Sequence, residues 1–442
     1  MKSAGSLIRI AVSCALSLVL GACAANYPTR TVSYTETKLE RPDAQQSEAE
    51  LLNVRIEVFE KGELPEDPNV RRGLSPDIRN AEAYYVPTQI KNAMQRSGHW
   101  GQVRVVPSGG RDGEVHISGK ILESDGEVLK LEVQVRDATG APWFTKRYES
   151  VIDAAAYSKA EAARMDAFQD TYNQIANDVA IYRKSLKPQD AAEIRQVAEL
   201  RFGADFAPST YGSFVKKAET PPPAQPDVLQ RLWGAISRDQ KPAARVPAYT
   251  VDRLPSEDDP VVQRVNRIRA REEFLIDTLD QQYDGLAKSI SDPYTLWRTS
   301  RLKEINAIRA VDKVQNEEQA KAVAAGVFGV LLGVALASQS NSGGGCYGCT
   351  TAGVAVAAGA VAIGVQMATR ASEQAASETA LRRTALEELG NSLATDLKPT
   401  IVEVEGKTVE LKGTVEEKFK AWREVLQSLQ ELETGPATPA TS

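Results

Sequence analysis

Histidine is almost absent from this chain: His99 and His116 are its only two among 442 residues. Histidine is the commonest general base and metal ligand. Two scattered copies therefore argue against a histidine zinc site or a Ser/His/Asp triad. His99 falls in Ser-Gly-His-Trp-Gly, a turn after a helix, and His116 in the strand-like Glu-Val-His-Ile-Ser. Both read as surface or strand positions. An excess of charge of one sign is lacking too. With 53 Lys and Arg against 59 Asp and Glu, the net charge is −6. No basic stripe invites a nucleic acid. The glycine-rich run Ser342 to Gly345 neither follows a strand nor ends in Gly-Lys-Ser/Thr, so it is no phosphate loop. The carboxylate pairs Asp258-Asp259 and Glu272-Glu273 fall in a linker and on a solvated helix, with no other reactive groups gathered around them. These absences argue against an enzyme, and no cofactor or metal is expected.

Cysteine is scarce and its four positions are informative. The N-terminus has a basic start (Lys2, Arg9), an apolar stretch from Ile10 to Leu20, and small residues leading to Cys23. That is the layout of a secretory signal peptide, too short to span a bilayer as a helix. Leu20-Gly21-Ala22-Cys23 resembles the lipobox of bacterial lipoproteins. The resemblance implies cleavage before Cys23 and lipid on that cysteine. Ala24, rather than an aspartate, implies sorting to the outer membrane, with the body facing the periplasm. Cys14 leaves with residues 1–22, so Cys346 and Cys349 remain, an even number in an oxidising compartment.

Patterning divides the remainder. Residues 23–50 are polar and proline-containing and read as a flexible tether. Residues 51–152 read as an α+β domain in the order β-α-β-β-β-β, with one helix on a mostly antiparallel sheet. Strands are marked by Val54, Ile56 and Val58; by Val103, Val105 and Val106; by Val115, Ile117 and Ile121; by Val128 to Val135; and by Trp143 to Tyr148. Ser124-Asp125-Gly126 and Asp137-Ala138-Thr139-Gly140 supply turns. The helix covers Ala81 to Ser97, and Pro87 inside it suggests that regular helix starts there. Residues 153–215 read as helical, broken at Lys187-Pro188, with Asp190 as an N-cap. Residues 216–260 read as a proline-rich linker with a short helix around Leu229 to Ile236. From Val261 to 398 the pattern is a helical arm, broken by a turn at Asp292-Pro293.

Within that arm, residues 322–369 carry no charge, in a chain that is 25% charged. Ala325, Gly329, Gly333 and Ala337 fall four apart in the first half, and Ala360, Gly364 and Ala368 in the second. Such small-residue stripes let helix backbones approach closely. The stretch reads as a hairpin that enters a membrane or is buried in a soluble or oligomeric core. Cys346-Tyr347-Gly348-Cys349 lies between its halves. Its readings are a local disulfide, a free or intermolecular pair, and, least favoured, a redox site, since it does not open a helix after a strand.

The C-terminal part reads as a small α-β-β-α module: a charged helix over 371–394, a β-hairpin and helix over 399–434, and a disordered tail over 435–442.

Two further resemblances bear on function. Val-Arg-Ile-Glu-Val-Phe, the helix with Gln89-Ile90 and Met94, Val-Arg-Val-Val-Pro, Val-His-Ile-Ser-Gly-Lys-Ile and the Asp-Ala-Thr-Gly turn before Trp143 resemble the periplasmic domain of accessory lipoproteins. The curli-secretion channel lipoproteins and the lipoprotein activators of penicillin-binding proteins are of that kind. Val-Glu-Val-Glu-Gly-Lys-Thr-Val-Glu-Leu-Lys-Gly-Thr-Val resembles the core of a BON domain, without its β-rich second half; a plain cap on the helical body fits it equally. These resemblances imply binding and assembly. The expectation is an envelope lipoprotein with a structural or assembly role that self-associates. The alternative is a monomeric accessory protein that activates an envelope enzyme or secretion complex. Its partners would be the membrane, reached by the lipid and the 322–369 hairpin, and its own copies or an envelope protein.

Overall fold

The computed structural model describes residues 29–44, 47, 50–71, 73–108, 113–217, 246–256, 258–337, 351–395, 400–404 and 407–433. For 69–70, 318–337, 351–365, 389–395, 400–404, 407–408 and 430–433 the backbone alone is described. The segments 1–22, 229–236 and 435–442 singled out above lie outside the described residues. The chain is α+β and forms two compact units. The larger comprises Val32–Leu64, Leu74–Arg298 and Arg383–Ser442; the smaller includes Pro65–Gly73 and Thr299–Arg382.

Strand β1 (Val54–Glu57) begins the larger unit's sheet; a one-turn helix, α1 (Pro68–Arg71), belongs to the smaller unit. Helix α2 (Pro76–Ser97) starts eleven residues before Pro87. Ser75 caps it, its hydroxyl accepting from the Ile78 N–H at 3.2 Å, and Pro76 occupies the first turn. Pro87 is tolerated for a local reason. It cannot donate to the Ala83 carbonyl, and that carbonyl accepts instead from the Phe59 N–H at 3.1 Å. Gly98, at φ 77°, ends the helix.

Strands β2 (Val103–Val106), β3 (Val115–Ser124), β4 (Val128–Asp137) and β5 (Pro142–Val151) complete a sheet of order β2-β1-β3-β4-β5. Most of its paired residues are antiparallel, as expected, but its first strand makes the sheet a mixed one. β1 pairs in parallel with both β2 and β3, while β3–β4 and β4–β5 are antiparallel. The cause is the crossover: α2 returns the chain to the start of the sheet, so β2 must run alongside β1.

Helices α3 (Ala154–Ala163), α4 (Gln169–Ser185), α5 (Pro188–Phe206) and α6 (Pro208–Tyr211) follow. α4 packs on α2 and on β5, with Tyr172, Ile175, Ala176 and Val179 buried. Asp190 is not the N-cap of α5. Lys187 takes that position, and the Asp190 carboxylate accepts from the Lys187 N–H at 2.9 Å. The expected linker begins and ends in a two-stranded ribbon, β6 (Val215–Lys217) with β7 (Tyr249–Val251).

Helix α7 (Pro260–Ala337) is continuous through Asp292-Pro293, where the sequence predicts a turn. An interior proline costs a helix about 3 kcal/mol. Ile290, Tyr294 and Trp297, buried on either side of it, offset that cost, each contributing about 1.5–3 kcal/mol by leaving water. Helix α8 (Thr351–Thr395) joins the second half of the charge-free stretch to the charged helix expected over 371–394. Strands β8 (Thr400–Val404) and β9 (Lys407–Leu411) pair as a hairpin, and α9 (Val415–Glu433) ends the fold.

In the larger unit, Val265, Ile268, Leu275 and Leu279 of α7 share one core with Val105 and Val106 of β2, Leu200 and Phe206 of α5, and Phe419, Trp422 and Leu426 of α9. The C-terminal elements therefore cap the body. A second cluster joins Ile78, Ala81 and Tyr85 of α2 to Ile290, Tyr294 and Trp297 of α7 and Leu386 of α8. In the smaller unit, Ser300 donates to Glu378 at 3.2 Å, so α7 and α8 lie side by side there. The Arg301–Glu304 pair, 2.8 Å apart, is buried.

Candidate functional site

The site residues expected from sequence are unevenly placed. Cys23, Cys346 and Cys349 lie outside the described residues. Ala325, Gly329, Gly333 and Ala337 belong to α7, and Ala360, Gly364 and Ala368 to α8. Of these seven only Ala368 has a described side-chain environment, half-buried. Among the described residues, no helix is long and apolar enough to cross a membrane.

The segment that follows Cys23 is described from residue 29, and it is fastened where a flexible tether is expected. Ser33 and Val151 exchange backbone hydrogen bonds of 2.9 and 3.1 Å, adding the segment to the end of β5. Three polar side chains of α4 then hold the extended backbone. Asp170 accepts from the Thr37 N–H at 2.9 Å, and Asn173 donates to the Thr37 carbonyl at 2.8 Å. Asn177 donates to the Lys38 carbonyl at 2.7 Å and accepts from the Glu40 N–H at 2.9 Å. Positions 170, 173 and 177 share one helix face. Each such bond contributes about 1 kcal/mol net. Lys159 pairs with Glu36 at 3.0 Å and Lys184 with Glu40 at 2.8 Å on the exposed side. The visible signal was the Asp/Asn spacing on the polar face of a helix whose other face is apolar.

α7 is locked to the α+β domain by a buried polar node that the sequence reading did not single out. Arg298 and Asp166 are 1% and 2% exposed and form a two-pronged pair at 2.6 and 3.2 Å. Asp166 also accepts from Tyr85 Oη at 2.8 Å and the Phe168 N–H at 2.8 Å. Four rings surround the guanidinium: Tyr294 at 4.3 Å, Phe168 at 5.5 Å, Tyr85 at 5.9 Å and Tyr157 at 6.0 Å. Burial pushes the Asp166 carboxyl up, but Arg298 outweighs it and holds the group below its ordinary value. Burial opposes the charge on Arg298, and the facing Asp166 overcomes it, raising its pKa further. Beside it, buried Glu82 accepts from Tyr294 and Ser124 at 2.7 Å each and pairs with Arg79 at 2.5 Å. Gly126, in the turn between β3 and β4, has φ 91°, and a Cβ there would sit 2.6 Å from the Arg298 carbonyl oxygen.

Further along α7 an acidic row meets basic groups of the sheet edge. Glu273 pairs with Arg55 at 2.6 Å and Arg104 at 2.7 Å, and Asp277 with Arg104 at 2.5 Å. Asp280 holds Lys91 at 2.9 Å and also accepts from the Val105 N–H at 2.7 Å, which closes part of edge strand β2. Glu272, expected on a solvated helix face, is 1% exposed and faces Arg423 at 3.4 Å. Asp259 serves the start of α7, accepting from the Val261 N–H at 2.8 Å.

Both histidines are buried: His116 lies in strand β3, as its sequence pattern suggests, and His99 is covered rather than on the surface. His116 accepts from the Gly113 N–H at 3.1 Å; burial, reinforced by Arg136, Arg55 and Arg201, pushes its pKa down to about 3. Burial also lowers His99. Among the described residues, no group of three or more His, Cys, Asp or Glu side chains could hold a metal ion. Compared with models of known protein families, with curated proteins and with solved structures, the chain matches none.

Proposed function

We propose that this chain is a lipid-anchored protein of the bacterial cell envelope, attached through Cys23 to the outer membrane and facing the periplasm, with a structural or assembly role rather than a catalytic one. The observation that carries the reading is the fastened segment after the lipobox. Nine residues, 24–32, separate Cys23 from Ser33, where the chain joins the sheet. The ten Cα–Cα steps from Cys23 to Ser33, at about 3.4 Å each, reach no further than about 34 Å. Lipid on Cys23 would then hold the α+β domain close to the membrane. A long free tether would let it drift.

The charge-free residues 322–369 supply the second half of the reading. The two apolar arms of this run, 322–338 and 352–368, favour burial in lipid or against protein, with the polar, glycine-rich 339–351 between them. We assign the arms to burial against other copies of the chain or in the membrane, with the small-residue stripes as the packing surface. The resemblance to accessory lipoproteins supports binding and assembly in the same compartment.

The test uses the full chain from residue 23 with Cys23→Ala, made without its leader and purified without detergent. Association into oligomers, or recovery with added vesicles, is the expected result, read by sedimentation velocity and flotation. A wholly soluble monomer that ignores vesicles would overturn the role given to residues 322–369.

A further inference from the structure

Beneath the fastened segment lies a cavity of about 550 Å³, bounded by residues 34–41, the end of α2, and helices α3 and α4. Its size is that of a small-molecule site. Its charges are unevenly satisfied. Glu36 is held by Lys159, Asp166 by Arg298, and Asp170 by the Thr37 amide. Arg41 and Arg96 also line the cavity and form no ion pair among the described residues. The surroundings desolvate Arg96 enough to lower its pKa from the ordinary arginine value. An anion would thus meet two guanidinium groups without a counter-ion. Part of the lining is apolar: Tyr34 and Met165, 40% and 54% exposed, with Ala156 and Ala160.

Two unpaired guanidinium groups beside an apolar lip match one chemistry. We propose that this cavity binds an anionic phospholipid, Arg41 and Arg96 taking the phosphate and the Tyr34–Met165 lip taking the first methylenes of an acyl chain. Arginine forks suit phosphate oxygens in pairs, and each methylene covered adds about 0.8 kcal/mol. Net charge does not oppose this, because the site is local and its carboxylates are already engaged. The inference rests on the anchoring reading only for the source of the lipid, since a protein held at a membrane meets phospholipid continuously.

The test uses the full chain from residue 23 with Cys23→Ala, so that no covalent lipid fills the cavity. Binding of soluble dihexanoylphosphatidylglycerol, dihexanoylphosphatidylcholine and inorganic phosphate is compared by calorimetry. The expected result is preference for the phosphatidylglycerol over both others, an affinity at least tenfold weaker in the Arg41→Gln/Arg96→Gln double variant, and a smaller loss in Met165→Ser. Both arginines are exposed, so the thermal midpoint should not move and will show that the variants fold. Equal binding of inorganic phosphate would overturn the apolar half of the site. Equal binding of phosphatidylcholine, no binding, or an unchanged affinity in the double variant would overturn the proposal. None of these outcomes bears on lipid at Cys23, which is read separately.

Discussion

α7 is held to the α+β domain in two ways. At Arg298 the contact is one guanidinium, fully enclosed, with a carboxylate on one side and aromatic rings on the others. Along Glu273 and Asp277 the acidic members are 32% and 49% exposed and reach buried arginines from the solvent side, while the neighbouring Asp280–Lys91 pair, 14% and 1% exposed, is nearly enclosed. The chemistry is nearly the same and the energetics are not. A buried pair has lost its hydration and depends wholly on its partner, so removing one member strands a charge. A half-exposed pair exchanges protein contacts for water and salt at little net cost. The first junction fixes where the helix sits; the second guides the approach and covers the edge of β2.

The largest effect should therefore follow loss of the enclosed cation. Arg298→Leu leaves Asp166 charged and without a counter-ion, and should cost about 3–5 kcal/mol in urea unfolding. Replacing both members, Arg298→Met with Asp166→Asn, should recover much of that loss. The pH dependence carries a matching sign. Asp166 titrates below its ordinary value in the fold, so its contribution is present above about pH 4 and is lost as pH falls through the folded value. In Arg298→Leu the acid transition should move to higher pH.

His116 makes a buried group without any counter-charge, and sharpens the contrast. It is neutral in the fold down to about pH 3, whereas the unfolded chain binds the proton near pH 6.5. Stability should fall as pH drops from 6.5 toward 3, by about 2 kcal/mol at pH 5. His116→Gln, whose amide oxygen can still accept from Gly113, should flatten that part of the profile. Gly126→Ala tests the backbone side of the enclosed junction. With φ at 91° and no room beside the Arg298 carbonyl, it should cost about 1–3 kcal/mol in thermal unfolding. The smallest effect is expected at the open junction: Asp277→Asn should cost under about 1 kcal/mol, and less still in high salt. A loss at Asp277 as large as that at Arg298 would erase the distinction.

The two junctions also differ in how far the sequence reveals them. Alternating valines and isoleucines made the strands of the α+β domain visible, because a half-buried strand must alternate. The Asp137 turn was visible for a similar reason: its carboxylate accepts from Thr139 N–H and Trp143 Nε1 within six residues. Arg298 and Asp166 lie 132 residues apart, and no local spacing announces their meeting. The prolines misled in one consistent way. Pro87 and Pro293 read as helix boundaries because a proline removes a local hydrogen bond, but Phe59 takes the carbonyl left by the first and a buried core spans the second. The fastened segment at 33–40 read as a tether because it bonds through its own backbone groups, which leave no mark on its own side chains; the only mark is the Asp170, Asn173, Asn177 spacing on α4, over a hundred residues away.

Whether Cys23 carries lipid decides the proposed anchoring, since the reach of the domain from a membrane would follow from it. Mass spectrometry of the N-terminal peptide of the protein isolated from bacterial envelopes measures this directly. The expected peptide begins at Cys23 and carries the mass of a diacylglyceryl group, and it disappears in Cys23→Ala. An N-terminus elsewhere, or an unmodified Cys23, would contradict the account.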